Sequence, residues 1–156
     1  MDDMRMPAAQ NIHDWPLRVY YEDTDAAGVV YYANYLKFAE RARTEMLHAC
    51  GLDQMRLKAE DDVVFAVRAC QADYLKPARL GDVVTVQTAV VKVGGASITL
   101  RQSVVKDCVN LVVMQITLVC MHSDGRATRI PAEVRAVLQA MAETGSEAGA
   151  DTTKED

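Results

Sequence analysis

The chain is poor in the residues that would make it anything other than a folded domain. With 8 Gly and 4 Pro in 156 residues, it is neither collagen-like nor a low-complexity disordered chain. Its four cysteines, Cys50, Cys70, Cys108 and Cys120, are scattered without a C-x-x-C pair. That spacing excludes a disulfide framework or a zinc site and predicts reduced, mostly buried thiols. No hydrophobic run is long enough to insert into a membrane: Val109 to Met121 is broken by Asn110, Gln115 and Thr117. The start, Met1-Asp2-Asp3, is polar through Asp14 and is no signal peptide, so a cytoplasmic protein is expected. No basic patch with interleaved aromatics is present, which argues against nucleic acid as a partner. The histidines His13, His48 and His122 are too dispersed to form a ligand set, so no metal site is expected and surface or helix-end roles are.

What is present suits one domain. Half of the residues are hydrophobic and 25% are charged. A chain of this length buries roughly 70% of its unfolded surface. The net charge is −5, and Glu143, Glu147, Asp151, Glu155 and Asp156 against Lys154 carry −4 of it, so residues 1–142 are almost neutral. The expected organisation is an N-terminal extension over 1–15, the folded domain over 16–142 and an acidic, disordered tail over 143–156. A first strand over Leu17–Tyr21 enters a turn-rich loop, Glu22 to Gly28. Asn34 to Cys50 lacks Gly and Pro, carries Tyr35, Phe38, Ala39, Ala42 and Met46 at helical spacing, and stops at Gly51, the usual residue after a helix end. Four strands follow, over Val63–Leu75, Asp82–Val93, Ser97–Lys106 and Leu111–Met121, separated by turn residues. Short links between the last three imply an antiparallel meander. The fold class is therefore α+β, one long helix on one face of an antiparallel sheet. A short helix over Ala132–Ala142 is expected after Pro131.

Asp25 is the residue with the clearest chemical potential. It lies in the loop leading into the long helix, where its carboxylate can stand near unpaired helix N–H groups. A helix N-terminus holds an oxyanion developing on a carbonyl, while a carboxylate beside it attacks the carbonyl carbon or activates water, which is acyl-transfer chemistry. The plain structural alternative is that Asp23, Thr24 and Asp25 only form a turn or a cap.

The context decides between them. Val19-Tyr20-Tyr21-Glu22-Asp23-Thr24-Asp25-Ala26-Ala27-Gly28-Val29-Val30-Tyr31-Tyr32-Ala33-Asn34-Tyr35, followed by Phe38-Ala39-Glu40-Arg41-Ala42-Arg43-Thr44-Glu45, resembles the 4-hydroxybenzoyl-CoA thioesterase family of hotdog folds. Within it, the chain is most similar to the Tol-Pal system-associated acyl-CoA thioesterase branch. Asp73-Tyr74-Leu75-Lys76-Pro77-Ala78-Arg79-Leu80-Gly81-Asp82, Asp124-Gly125-Arg126 and Ile130-Pro131 continue the match in one collinear order over about residues 17–138. The resemblance implies a hotdog: a curved antiparallel sheet of about five strands wrapped around one long central helix. It also implies that Asp25 is the catalytic carboxylate, that the helix begins near Tyr32, and that the Tyr32 backbone N–H polarises the thioester carbonyl. No cofactor or metal is implied beyond the coenzyme A carried by the substrate, and the assembly implied is a homodimer or homotetramer with sites between subunits. Two positions depart from the Tol-Pal relatives: Tyr32 stands where they commonly carry His, and Ala27 where they carry Gly.

Gly28, Tyr31 and Asn34 are the expected substrate-binding residues, with Asn34 also a possible helix cap by residue type. Tyr35 and Phe38 are expected in the core. Glu40 is the alternative base, because another thioesterase branch carries its carboxylate on the helix about eight residues past the polarising N–H; its structural reading is an ion pair with Arg43 or Arg41. A hydratase pair of the D-x-x-x-x-H type is excluded by Val30, and Gly94-Gly95-Ala96-Ser97-Ile98 is no serine-hydrolase elbow. Lys76, Arg79, Arg101, Arg126 and Arg129 are the cations available to CoA phosphates, each equally at home as solvated surface. The expected reaction is hydrolysis of an aromatic or short-to-medium acyl-CoA, or of the same acyl group on acyl carrier protein. The rival from another class is a non-catalytic acyl-carrier or acyl-CoA binding module.

Overall fold

A computed structural model describes residues 11–142. The expected acidic tail lies outside them. Within them, strand β1 (His13–Arg18) leads through a 3-10 turn (Tyr21–Asp23) to helix α1 (Asn34–Ala49) and helix α2 (Gln54–Asp61). Strands β2 (Val64–Tyr74), β3 (Val83–Val93), β4 (Ser97–Lys106) and β5 (Val109–Met121) follow, and a helix α3 over 132–142 comes last. The five strands form one sheet in the order β1-β3-β4-β5-β2, every neighbouring pair antiparallel. One long helix against such a sheet is the hotdog arrangement that the sequence resemblance implies.

Local sequence explains most of the boundaries. α1 is buried along Tyr35, Phe38, Ala39, Ala42, Met46 and Leu47. It ends where Gly51, at φ +81°, lets its own N–H reach the His48 carbonyl and the Leu52 N–H reach that of Leu47. β3 and β4 alternate buried and part-exposed residues in the pattern of a half-buried sheet. Val84, Val86 and Val90 face the helix together with Leu100 and Val104. α3 buries Val134, Leu138 and Ala142 at four-residue spacing, and Arg135 donates to the Gly94 and Gly95 carbonyls at 2.6 and 3.0 Å, fastening this helix to the β3–β4 turn.

The structure corrects several expectations. β1 begins at His13, inside the stretch read as an extension, and ends at Arg18, because Asp23 takes the Tyr20 N–H at 2.8 Å and turns the chain. β5 begins at Val109, since Asp107 and Cys108 alone make the hairpin turn, both at positive φ. α1 begins at Asn34, two residues after Tyr32, and its N-cap is Ala33 without a capping side chain. Asn34 is thus no cap. Helix α2 was not expected at all. Of the cysteines only Cys120 is buried: Cys70 is exposed on β2, Cys108 is exposed in its turn, and Cys50 is intermediate, all four as free thiols. His13 is no surface residue by its ring, because Nδ1 is buried with no hydrogen-bond partner among the described residues.

A buried polar cluster joins helix to sheet. Gln102 and Thr88, both fully buried, are the polar residues of the core. Gln102 donates to the Ala39 carbonyl and to Thr88 Oγ1, each at 2.9 Å, and accepts from Arg43 at 3.0 Å. Satisfying each of these groups removes the desolvation penalty that an unpaired buried amide would carry.

Candidate active site

Asp25 sits at the tip of a small hairpin rather than in an open loop. Its N–H bonds to the Val29 carbonyl at 2.9 Å, the Gly28 N–H bonds back to the Asp25 carbonyl at 3.0 Å, and Thr24 pairs with Val30. Gly28 supplies the positive φ, +79°, that closes the turn. One carboxylate oxygen, Oδ1, accepts from the Ala27 N–H at 2.9 Å. The side chain is otherwise exposed in the protomer. Of the two aspartates, Asp23 is consumed by structure through its bond to Tyr20, and Asp25 is the one left available.

The hairpin is held on two sides. Its base is tied to the start of α1 through one carbonyl: the oxygen of Asp23 accepts from the Tyr31 N–H at 3.0 Å and from Asn34 Nδ2 at 2.8 Å. Asn34 therefore latches the loop to the helix. The opposite side is sewn to the segment between β2 and β3: Val30 donates to the Ala78 carbonyl at 2.9 Å, Leu80 donates to the Gly28 carbonyl at 3.2 Å, and Val29 pairs with Arg79. Ala78, wholly buried, gives its own N–H to the Tyr35 hydroxyl at 3.0 Å. Through Ala78 the hairpin, the β2–β3 segment and α1 become one joint.

Between these parts opens a cleft lined by Val30, Tyr32, Tyr35, Tyr74, Leu75, Lys76 and Pro77. Tyr32 and Tyr74 meet edge to face at 5.9 Å, while Tyr74 and Tyr35 are tilted at 5.8 Å and Tyr31 lies tilted on Tyr32 at 5.0 Å. Burial raises the phenol pKa values of Tyr35 and Tyr74 above the usual tyrosine value, so both stay neutral. Tyr35 is both core, as expected, and cleft wall; Phe38 is core alone. Of the expected substrate-binding residues, Gly28 and Asn34 shape the loop, and Tyr31 stands half-exposed beside Tyr32.

The start of α1 carries no acidic residue in its first turn and no side-chain cap. The Tyr32 N–H has no hydrogen-bond partner among the described residues. The Asn34 and Leu36 N–H groups bond to the Tyr31 and Ala33 carbonyls, so the open Tyr32 N–H and the positive end of the helix dipole are what favour negative charge there. Glu40 lies elsewhere, in a groove with Arg43, Thr44 and Gln54, where it accepts from Thr44 Oγ1 at 3.4 Å. The ion pair expected for it is not formed among the described residues. Arg43 reaches instead across to Gln102, its charge disfavoured by burial and only partly supported by Glu40. Tyr74, Leu75 and Pro77 were missed as site residues, although the Asp73–Asp82 segment containing them is one that carries the resemblance.

A model of the thioesterase-like superfamily matches residues 19–138. The acyl-CoA thioester hydrolase YbgC of Escherichia coli O157:H7 is 50% identical over 91 residues, which are 58% of this chain and 67% of that protein. The acyl-CoA thioesterase YbgC of Haemophilus influenzae is 39% identical over 127 residues, 81% of this chain and 93% of that one. Among solved structures, a probable thioesterase from Bartonella henselae superposes with a TM-score of 0.75 at 31% identity, over 77% of this chain and 99% of the other.

Proposed function

The chain belongs to the thioesterase-like superfamily and is an acyl-CoA thioester hydrolase, and within that activity we propose that Asp25 is the reacting carboxylate and the Tyr32 backbone N–H the oxyanion donor. The observation that carries this reading is the fastening of the Asp25 hairpin to the uncapped start of α1 through the Asp23 carbonyl. Positioning of this kind lowers a barrier because neither group has to be ordered during the reaction. The substrate in this reading is an aromatic or short-to-medium acyl-CoA, or acylated carrier protein, with the acyl group received by the tyrosine-walled cleft. No cofactor or metal takes part. A cytoplasmic location, and the Tol-Pal association that the sequence resemblance carries, belong to the same proposal. No helix of the described residues is long and apolar enough to cross a membrane.

Two routes share this geometry. Asp25 can attack the thioester carbon, expelling the CoA thiolate and leaving a mixed anhydride that water then cleaves to free acid and carboxylate. Alternatively Asp25 takes a proton from water as its oxygen attacks the thioester carbon, and the tetrahedral intermediate collapses with cleavage of the C–S bond to free acid and CoA thiolate, which takes up a proton. Single turnover in isotopically labelled water that leaves label in the Asp25 carboxylate establishes the first route with water cleaving the anhydride at the Asp25 carbonyl; trapping of the acyl-enzyme by hydroxylamine tests the same route when the acyl carbonyl is attacked instead.

The site is completed by a second copy in this reading. β2 is an eleven-residue strand at the sheet edge, bonded to β5 on one side, with Val67 and Tyr74 about half exposed and Ala69 and Cys70 exposed. An uncovered edge of that length is a ready template for antiparallel pairing with another chain. Asp25 itself is open to solvent in the protomer and needs a wall to exclude water.

The test is Asp25→Asn, with Glu40→Gln as its control. Asparagine keeps an oxygen for the Ala27 N–H, so stability should change by less than about 0.5 kcal/mol. Turnover should fall by about 10² to 10⁴, or roughly 3–5 kcal/mol of barrier. If Asp25→Asn keeps wild-type turnover while Glu40→Gln loses it, the helix carboxylate is the base. If no thioester is cleaved above background while acylated carrier protein binds, the protein is a binding module.

A further inference from the structure

The cleft beside α1 holds one formal charge. Among its lining residues Lys76 is the one basic side chain and no acidic one is present; the rest are tyrosines, aliphatic residues and a proline. Lys76 is exposed and has no carboxylate within ion-pair distance among the described residues. Its mounting is firm: the Leu75 and Lys76 N–H groups both bond to the Leu111 carbonyl, at 2.8 and 3.0 Å, and Pro77 fixes the backbone that follows.

The other cations that the sequence offers do not line the cleft: Arg79, three residues on, pairs by its backbone with Val29, and the rest lie elsewhere or are occupied. Arg18 donates to the Gly81 carbonyl, Arg126 is paired with Asp124, and Arg101 borders a hollow with Gln87, Ser103 and Val113 on the sheet face turned away from α1. Lys76 is the cation in the lining of the cleft itself. Without a carboxylate partner among the described residues, its ammonium is available to an anion whose carrier fills the apolar and aromatic cleft beside it.

We propose that Lys76 is the anion anchor for the substrate, its ammonium binding an oxyanion that the substrate carries away from the reacting carbonyl. This rests on the thioesterase reading above. An acyl-CoA can supply that oxyanion from two places, a phosphate of the CoA or a carboxylate at the far end of the acyl group. The contact exists in bound substrate and transition state alike, so it acts on KM and leaves kcat nearly unchanged.

Wild type and Lys76→Met are compared on butyryl-CoA, on succinyl-CoA and on butyryl-N-acetylcysteamine, which lacks every phosphate. The expected result is a KM raised about tenfold by the substitution, the size of one charge-assisted contact, with kcat within a factor of about two and rescue by Lys76→Arg. A loss on both CoA esters but not on the cysteamine ester supports the anchor and assigns it to phosphate. A loss confined to succinyl-CoA supports it and assigns it to the acyl carboxylate. An equal loss on all three, or on none, overturns it. Titration calorimetry of free CoA and of a thioether analogue of succinyl-CoA, which cannot be hydrolysed, onto the same two proteins repeats the comparison without turnover. An inactive wild type then counts against the thioesterase reading alone, and an unchanged affinity counts against the anchor.

Discussion

Replacing Tyr35 by Phe removes one oxygen atom and tests whether Ala78 is the joint of the site. The ring itself stays, so the packing of Tyr35 against Phe38 and Tyr74 is retained and no cavity of consequence opens. What is lost is the acceptor for the Ala78 N–H, in a bond of 3.0 Å between two buried groups. Ala78 has no exposed surface, so water cannot replace the hydroxyl, and the amide is left with its full desolvation penalty, about 1–3 kcal/mol. At about 4 °C per kcal/mol for a domain of this size, the expected drop in Tm is on the order of 5–10 °C. Thermal unfolding followed by far-UV circular dichroism reads it, with wild type and variant at one protein concentration so that any effect of association on apparent stability is the same for both. Turnover should fall less than about tenfold, since Val30 still bonds to the Ala78 carbonyl and Val29 still pairs with Arg79. A variant as stable as wild type refutes the joint. One that unfolds as expected but loses as much turnover as Asp25→Asn shows that the hydroxyl acts in the chemistry.

Light scattering at micromolar concentration should find at least a dimer, and a fully active monomer contradicts a site completed by a second copy. Asp82 governs the acid limb of stability. The Arg79 N–H at 2.8 Å and the Lys106 ammonium at 3.0 Å hold its carboxyl below the usual value of 3.8, so the folded state favours its ionised form. Its contribution is complete above the unfolded carboxyl pKa and is lost as pH falls through the lower folded value. Urea titrations of wild type and Asp82→Asn should therefore differ at neutral pH, with the gap narrowing below about pH 4 as the carboxyl is titrated toward its lower folded value; a gap that stays constant from neutral pH into acid would falsify the assignment.

The parts of this fold that were legible in the sequence are those specified by neighbours in the chain. α1 shows an apolar stripe and a terminal glycine, and the β3–β4–β5 meander shows β-branched runs between turns. The parts that were not legible depend on distant residues. Pro16 and the polar His13 and Asp14 hide β1, yet Pro is tolerated there because β1 is an edge strand. α2 buries Leu57 alone and is held by the Asp53 cap on the Met55 N–H, so it shows no stripe. Arg43 looked like a local partner for Glu40 and is drawn instead to Gln102, 59 positions away, because a half-buried guanidinium takes the acceptor that the sheet presents.

The candidate site divides the same way. Asp25, Gly28 and the start of α1 are contiguous, and their turn chemistry could be read in order. The cleft also needs Tyr74, Leu75, Lys76 and Pro77, which look like the end of a strand and a turn until the Val30–Ala78 bond brings them beside Tyr32. Two local rules are broken in the described chain: α1 begins without a cap, and β2 runs eleven residues along an uncovered edge. A helix start that binds nothing would gain about 1 kcal/mol from Ser or Asp at position 33, and the long β2 edge is interrupted only at the register shift between Val67 and Ala69, where Arg68 is exposed. Such departures persist where a ligand and a partner supply the missing interactions. The uncapped end is where the thioester oxygen would sit, and the bare edge is where the second copy would close over it.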